Sequence, residues 1–217
     1  RTGYLDAKTI IIAAGARELV PPFPGWTLPG VMTLGAAQIM VKDHGLFPRE
    51  RILIAGSGPL LLAAAVTLMS AIPDQLWEQY LLGIVEATQP LTWLPHAGAM
   101  LGNFDRLQEG WAYLNKMRQA KIPYRFGRTV IQAHGTNHLT HLTTAQLDKF
   151  GLPIPGSQET IPADTLCLGY GFIPNIELTQ LAGCSHSYQF QKGGWVPDTS
   201  RSMQTCLPGI YAVGECA

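Results

Sequence analysis

The sequence predicts an α/β fold, and three observations carry that prediction. Apolar runs of strand length alternate with stretches of helical period. A glycine turn, Gly56-Ser57-Gly58-Pro59, joins one such strand to an apolar helix. In the second half the period falls to two, where alternating segments flank Gly135-Thr136-Asn137 as the arms of a hairpin.

The elements follow in chain order. Asp6 to Gly15 reads as a short, fully buried strand ending in a glycine, and Val20 to Gly30, rich in proline, as a connection. Leu34 to His44 has apolar residues at helical spacing, with Gly45 where a C-cap falls. Strand Arg51 to Ala55, helix Pro59 to Met69 and strand Tyr80 to Val85 make one βαβ unit. From Asn103 to Ala120, Leu107, Trp111, Leu114 and Met117 recur at intervals of three and four, the mark of a helix. Pro123 to Ala133 and His138 to Leu147 are the hairpin arms, and Ala163 to Leu168 and Ile210 to Val213 are further strands.

Composition sets the class. Of 217 residues 47% are hydrophobic and 14% charged, against about 25% charged in an average domain, which leaves ample material for a core and excludes disorder. Fifteen basic and fifteen acidic side chains cancel, and no window carries a basic run, so nucleic acid is not an expected partner. Ile52 to Ile72 lacks charge over 21 residues, but Ala55-Gly-Ser-Gly-Pro59 breaks any continuous helix there and no membrane span is expected. Cys167, Cys184, Cys206 and Cys216 form no CxxC pair, Cys206 and Cys216 lack basic neighbours apart from Arg201, and all four read as inert reduced thiols of a cytoplasmic protein without a signal peptide. The chain starts without Met and stops just after an apolar strand, which reads as an excised fragment.

The glycine turn is the first chemical signal. Gly56 and Gly58 let the backbone turn tightly and approach a diphosphate, Pro59 suits the first helical turn because its missing N–H costs nothing there, and free N–H groups with the helix dipole behind them face an anion, so that Gly56, Ser57, Gly58, Pro59 and Leu60 are the candidate binding residues. The third glycine of GxGxxG is Leu61, so close helix–strand packing is achieved in another way. A plain structural turn is the alternative. Glu86 ends the second strand thirty positions after Gly56, where an acid accepts hydrogen bonds from an adenosine ribose; the usual spacing is about twenty, and Pro73 to Glu78 supplies the extra length. No Arg or Lys lies between Glu86 and Leu94 to hold a 2′-phosphate, so NAD is preferred over NADP. The alternative for Glu86 is a solvated carboxylate. His134, His138 and His141 have metal-like spacing, yet a hairpin puts His138 and His141 on opposite faces, and no metal site is expected. Trp26, Trp77, Trp93, Trp111 and Trp195 are too scattered for a stacking platform.

Both ends of the chain add to this. Thr9-Ile-Ile-Ile-Ala-Ala-Gly15-Ala16 and Pro208-Gly-Ile-Tyr-Ala-Val-Gly214-Glu215 resemble the distal FAD-domain motifs of the flavoprotein (pyridine nucleotide-) disulfide reductase superfamily, with Glu215 in place of the usual Asp. Gly56 to Leu62, Cys167 to Asn175 and Gly194 to Pro197 are similar to the α subunits of amine and amino-acid dehydrogenases, a group that includes subunits of hydrogen cyanide synthase, opine oxidase and dye-linked proline dehydrogenase. The resemblance implies a Rossmann-like three-layer ββα NAD(P)-binding domain inserted in a split FAD-binding domain. Residues 1–45 and 200–217 are then FAD-binding segments and 46–199 the NAD(P)-binding domain. It implies hydride or electron transfer between the pyridine nucleotide and FAD, an amine or amino-acid site on a separate β subunit, and often an iron–sulfur centre held by cysteines beyond Ala217. The first FAD glycine fingerprint and a redox-active cysteine pair are missing from this sequence, which implies no catalytic side chain of its own and weak FAD binding by the fragment alone. By the resemblance Gly15, Gly214 and Glu215 contact FAD, and Gly169 and Gly171 let a nicotinamide or flavin ring approach. The competing reading makes Gly169 to Pro174 an inter-domain turn, with Tyr170 and Phe172 either stacked on a ring or part of the core. A non-catalytic subunit that binds an adenine nucleotide, relays electrons or scaffolds a complex is the alternative function.

Overall fold

The computed structural model describes residues 3, 6–89 and 104–217, leaving aside the side chains of Asp74 and 104–110. The chain divides into two compact units, one of residues 20–170 and one of residues 1–19 with 171–217.

The larger unit is built on a five-stranded parallel sheet. Its strands are β3 (Val31–Thr33), β10 (Thr165–Gly169), β4 (Ile52–Gly56), β5 (Leu81–Glu86) and β6 (Tyr124–Phe126), in that spatial order. Every residue of β4 and β10 is buried, as continuous apolar runs in a parallel sheet require. Side-chain alternation sorts them by face. Ile52, Ile54, Ile84 and Cys167 pack against α1 (Leu34–His44), α2 (Leu60–Ser70) and α4 (Phe104–Gln119). Leu53, Ala55, Val85, Leu166 and Leu168 pack beneath the antiparallel sheet of β7 (Arg128–His134), β8 (His141–Gln146) and β9 (Glu159–Pro162). This is the expected ββα sandwich. Helix α1 has the expected bounds: Thr33 accepts from Ala36 N at 3.3 Å, and Gly45, left-handed at φ 61°, donates to Met40 and Val41 carbonyls. A 3₁₀ turn at Asp74–Leu76 and the single turn α3 (Trp77–Tyr80) take up the extra length before β5. Trp77 Nε1 locks that insertion to the Met69 and Ile72 carbonyls, both at 3.0 Å.

The smaller unit joins the chain ends. Strands β1 (Ile10–Ile12) and β14 (Ile210–Ala212) pair in parallel, β2 (Ala16–Glu18) pairs antiparallel with β11 (Phe172–Pro174), and β12 (His186–Gln189) forms a hairpin with β13 (Gly194–Pro197). Arg17 bridges Asn175 and Glu177, the latter in α5 (Glu177–Leu181), and Asn175 Nδ2 donates to Ala14 O at 3.0 Å.

Several sequence expectations need correction. The strand expected over Asp6 to Gly15 is three residues long, and Ile10 and Ile11 are 50% and 66% exposed rather than buried. The first hairpin arm is two strands in different sheets: Gly127, with positive φ, lets β6 finish the parallel sheet before β7 turns into the antiparallel one. In α4 Met117 is buried but Trp111 and Leu114 are largely exposed, so the apolar spacing does not mark one core-facing stripe. Residues 20–45 pack with the larger unit through β3 and α1, and 171–199 with the smaller, so the compact units part at 19/20 and 170/171. Trp93 and the start of the expected helix at Asn103 lie outside the described residues.

Candidate functional site

The site begins where β4 turns into α2. Gly56, the last residue of β4, lies between its register partners Gly169 and Glu86. A Cβ on Gly56 would strike the Gly169 carbonyl, which accepts Ser57 N at 2.9 Å. Leu61 Cδ2 would stand 2.9 Å from a Cβ on either glycine. Both side-chain-free strand positions therefore make room for fully buried Leu61, the residue that replaces the third motif glycine. Close helix–strand packing is recovered by emptying the sheet instead of the helix. Gly169 is thereby given to packing against Leu34 and Leu61.

Gly58 differs from Gly56. Its φ of 97° favours glycine, and nothing lies within 4 Å of where its Cβ would be. Exposed Pro59 precedes α2 without capping it by a side chain, and half-buried Ser57, Gly58 and Leu60 surround the same opening. An open approach to an uncapped 11-residue helix fits an anionic group.

Glu86 closes the turn from the side, and it is fully buried. Gly58 N–H is shared between its two carboxylate oxygens at 3.2 and 3.1 Å. Thr88 donates its backbone N–H at 3.1 Å and its hydroxyl at 2.6 Å to Oε1, and Tyr124 OH donates to Oε2 at 2.9 Å. Burial, then the neighbouring Glu86 charge, holds the Tyr124 phenol protonated far above its ordinary range. The solvated-carboxylate reading of Glu86 is thus overturned. Thr88 and Tyr124 were not legible as site residues, because β5–β6 pairing alone carries Tyr124 across 38 positions to Glu86.

In the smaller unit, β1 and β14 end in register at Ile12 and Ala212, and Val213 N donates to Ile12 O at 2.9 Å. Gly15 and Gly214 follow at the carboxyl edge of these parallel strands, where α/β sheets receive ligands. Glu215 is exposed and lines a cleft of about 260 Å³ with Ala16, Phe172, Pro174 and Lys192. Gly171 has open space at its Cβ position and a carbonyl bonded to Leu19 N at 2.8 Å. Tyr170 belongs to the core, bonded to Thr129 at 2.7 Å, whereas Phe172 is 44% exposed.

Among the described residues no three or more His, Cys, Asp or Glu side chains are grouped so as to hold a metal ion. His134 and His141 are register partners with rings stacked 4.3 Å apart, and His138 lies in the turn between them. None of the four cysteines forms a disulfide, and Cys167, Cys184 and Cys216 are buried. No helix among the described residues is long and apolar enough to cross a membrane.

A parallel sheet with a glycine turn and a terminal acid in one unit, and a glycine-bearing edge of parallel strands in the other, define the class of dinucleotide-binding α/β folds. The profile of the pyridine nucleotide-disulphide oxidoreductase family matches residues 2–217, and the chain belongs to that family, whose cofactors are FAD and NAD(P). Hydrogen cyanide synthase subunit HcnB of Pseudomonas aeruginosa is 34% identical over the whole chain, which covers 45% of that protein. An opine oxidase subunit of Agrobacterium tumefaciens is 31% identical over 98% of the chain and 40% of its own length. The chain thus spans less than half the length of these relatives. An FAD-dependent pyridine nucleotide-disulphide oxidoreductase from Desulfovibrio vulgaris shares the fold, with TM-score 0.63 and 21% identity over 98% of this chain and 46% of that one.

Proposed function

We propose that this chain is the FAD- and NAD-binding part of a flavin-dependent oxidoreductase subunit that moves hydride or electrons between NAD(H) and FAD within an amino-acid or amine dehydrogenase complex. The observation that carries the reading is the open, uncapped turn at Gly58 with a buried carboxylate beside it. Ser57 to Leu60 receive the diphosphate, Gly56 shapes the turn, and Glu86 faces the adenosine ribose, where its charge disfavours a 2′-phosphate and so NADP. Gly15, Gly214 and Glu215 face the flavin, with Glu215 accepting hydrogen bonds from its ribityl chain, and Gly171 leaves room for a ring. The hydride chemistry belongs to the cofactors, and this chain binds and orients them. On this reading residues 20–170 are the NAD-binding unit and the smaller unit is the FAD-binding part. The relatives' names, both subunits, support a multi-subunit setting in which a β subunit carries the amine site.

A second reading rests on one observation: Glu86 has no exposed surface and is already satisfied by the chain, as in a subunit that binds only an adenine nucleotide or acts as relay or scaffold. NADH titration into the full-length protein, with NADPH and ADP as competitors, separates them. Saturable NADH binding that ADP displaces and NADPH does not supports the reductase. ADP binding with no gain from nicotinamide supports the second reading, and absence of binding overturns the NAD site.

A further inference from the structure

Glu86 is held by three kinds of donor, and they are not equivalent. The Thr88 and Tyr124 hydroxyls lie at 2.6 and 2.9 Å and each serves one oxygen. Gly58 N–H lies at 3.1 and 3.2 Å and is split between both, the geometry of a weaker bond. Tyr124 is fixed in turn: β6 pairs Ile84 with Tyr124, its ring packs on the helix-side core, and the Phe126 ring lies 4.5 Å away. Neither β4 nor α2, which flank the carboxylate, carries a charged residue.

We propose that Tyr124 is the positioning residue for nucleotide recognition: with Thr88 it anchors Glu86, while the shared Gly58 N–H is the partner that an incoming ribose diol replaces. The anchored oxygens stay in place, so the carboxylate need not reorganise when Gly58 lets go. The hydroxyl also fixes the carboxylate where a 2′-phosphate would have to sit, which ties NADH-over-NADPH discrimination to a residue that touches neither nucleotide. This inference rests on the NAD reading above.

The test is a double-mutant cycle on the full-length protein, reading NADH and NADPH affinity for wild type, Tyr124→Phe, Glu86→Ala and the double variant. Tyr124→Phe removes one oxygen atom and keeps the packed ring. We expect it to weaken NADH binding about tenfold, as loss of one hydrogen bond to a charged group would. It should narrow the NADH/NADPH ratio, and it should have less than about a twofold effect once Glu86 is Ala. An unchanged NADH affinity, or an equal loss with and without Glu86, overturns the role of Tyr124 while leaving the site intact. Wild type that binds no NADH, or Gly58→Val that binds as well as wild type, overturns the NAD reading and this inference together. Thr88→Val provides the second arm: a loss that also vanishes without Glu86 confirms the anchor, and a loss that persists without Glu86 removes Thr88 from it.

Discussion

Two strand ends in this chain carry the same ingredients, a glycine and a glutamate after a parallel strand, and use them in opposite ways. At β4–β5 the glutamate is fully buried and bonded to the turn it faces; at β14 Glu215 is exposed beside a cleft. Gly56 is required because a backbone carbonyl occupies the place of its side chain, whereas nothing stands near the corresponding point on Gly214. At the first end the acid is enclosed and bonded to the turn, and at the second it stands on an open edge. A shared motif chemistry therefore does not imply shared energetics: substitutions at the first should unsettle the fold, and at the second only the ligand.

A matched pair of glycine substitutions tests this contrast most severely. Gly56→Val should destabilise the protein by about 3 kcal/mol or more in chemical denaturation, since the Gly169 carbonyl cannot move without parting β4 from β10. Gly214→Val should cost only about 1 to 2 kcal/mol of backbone strain at its positive φ. Equal losses would erase the distinction. The glutamates form a second pair. Glu86→Ala strands the Tyr124 and Thr88 donors and should cost about 2 kcal/mol as well as NADH affinity. Glu215→Ala should stay within about 0.5 kcal/mol by the same denaturation measurement, with its effect confined to flavin retention.

A weaker effect is expected at the histidine pair on the antiparallel sheet. Burial first, and then the stacked His141, lower the His134 pKa from its ordinary 6.5. Above that value both folded and unfolded chains hold His134 neutral and it contributes no slope. As pH falls below it the unfolded chain takes up the proton first, so stability declines on acidification. His134→Gln should flatten the decline below about pH 6.5 in pH-dependent thermal melts.

The two regions also differed in how far they could be read in advance. At the glycine turn the strand, helix and strand were legible with their order and approximate ends, because continuous apolar runs and turn glycines are local signals. The Leu61 departure announced a packing problem, but its solution could not be seen, since Gly169 is brought beneath Leu61 only by the β4–β10 pairing. In the smaller unit the burial of β1 was overestimated: three isoleucines in a row are the pattern of a covered strand, yet in this two-stranded sheet Ile10 and Ile11 remain half exposed or more. The edge strand β3 escaped notice because three residues are too few to show a period.

Short-range patterns of side-chain size, charge and backbone freedom were enough to settle the class of fold, the place of the nucleotide-type turn, the acid at the end of β5 and the lack of a CxxC pair. Long-range pairing was needed to show where the two units divide, that Glu86 is buried and bonded to Gly58, and that Thr88 and Tyr124 hold it there. Strands of a parallel sheet join residues tens of positions apart, and whether a carboxylate is solvated or enclosed depends on what that pairing brings over it.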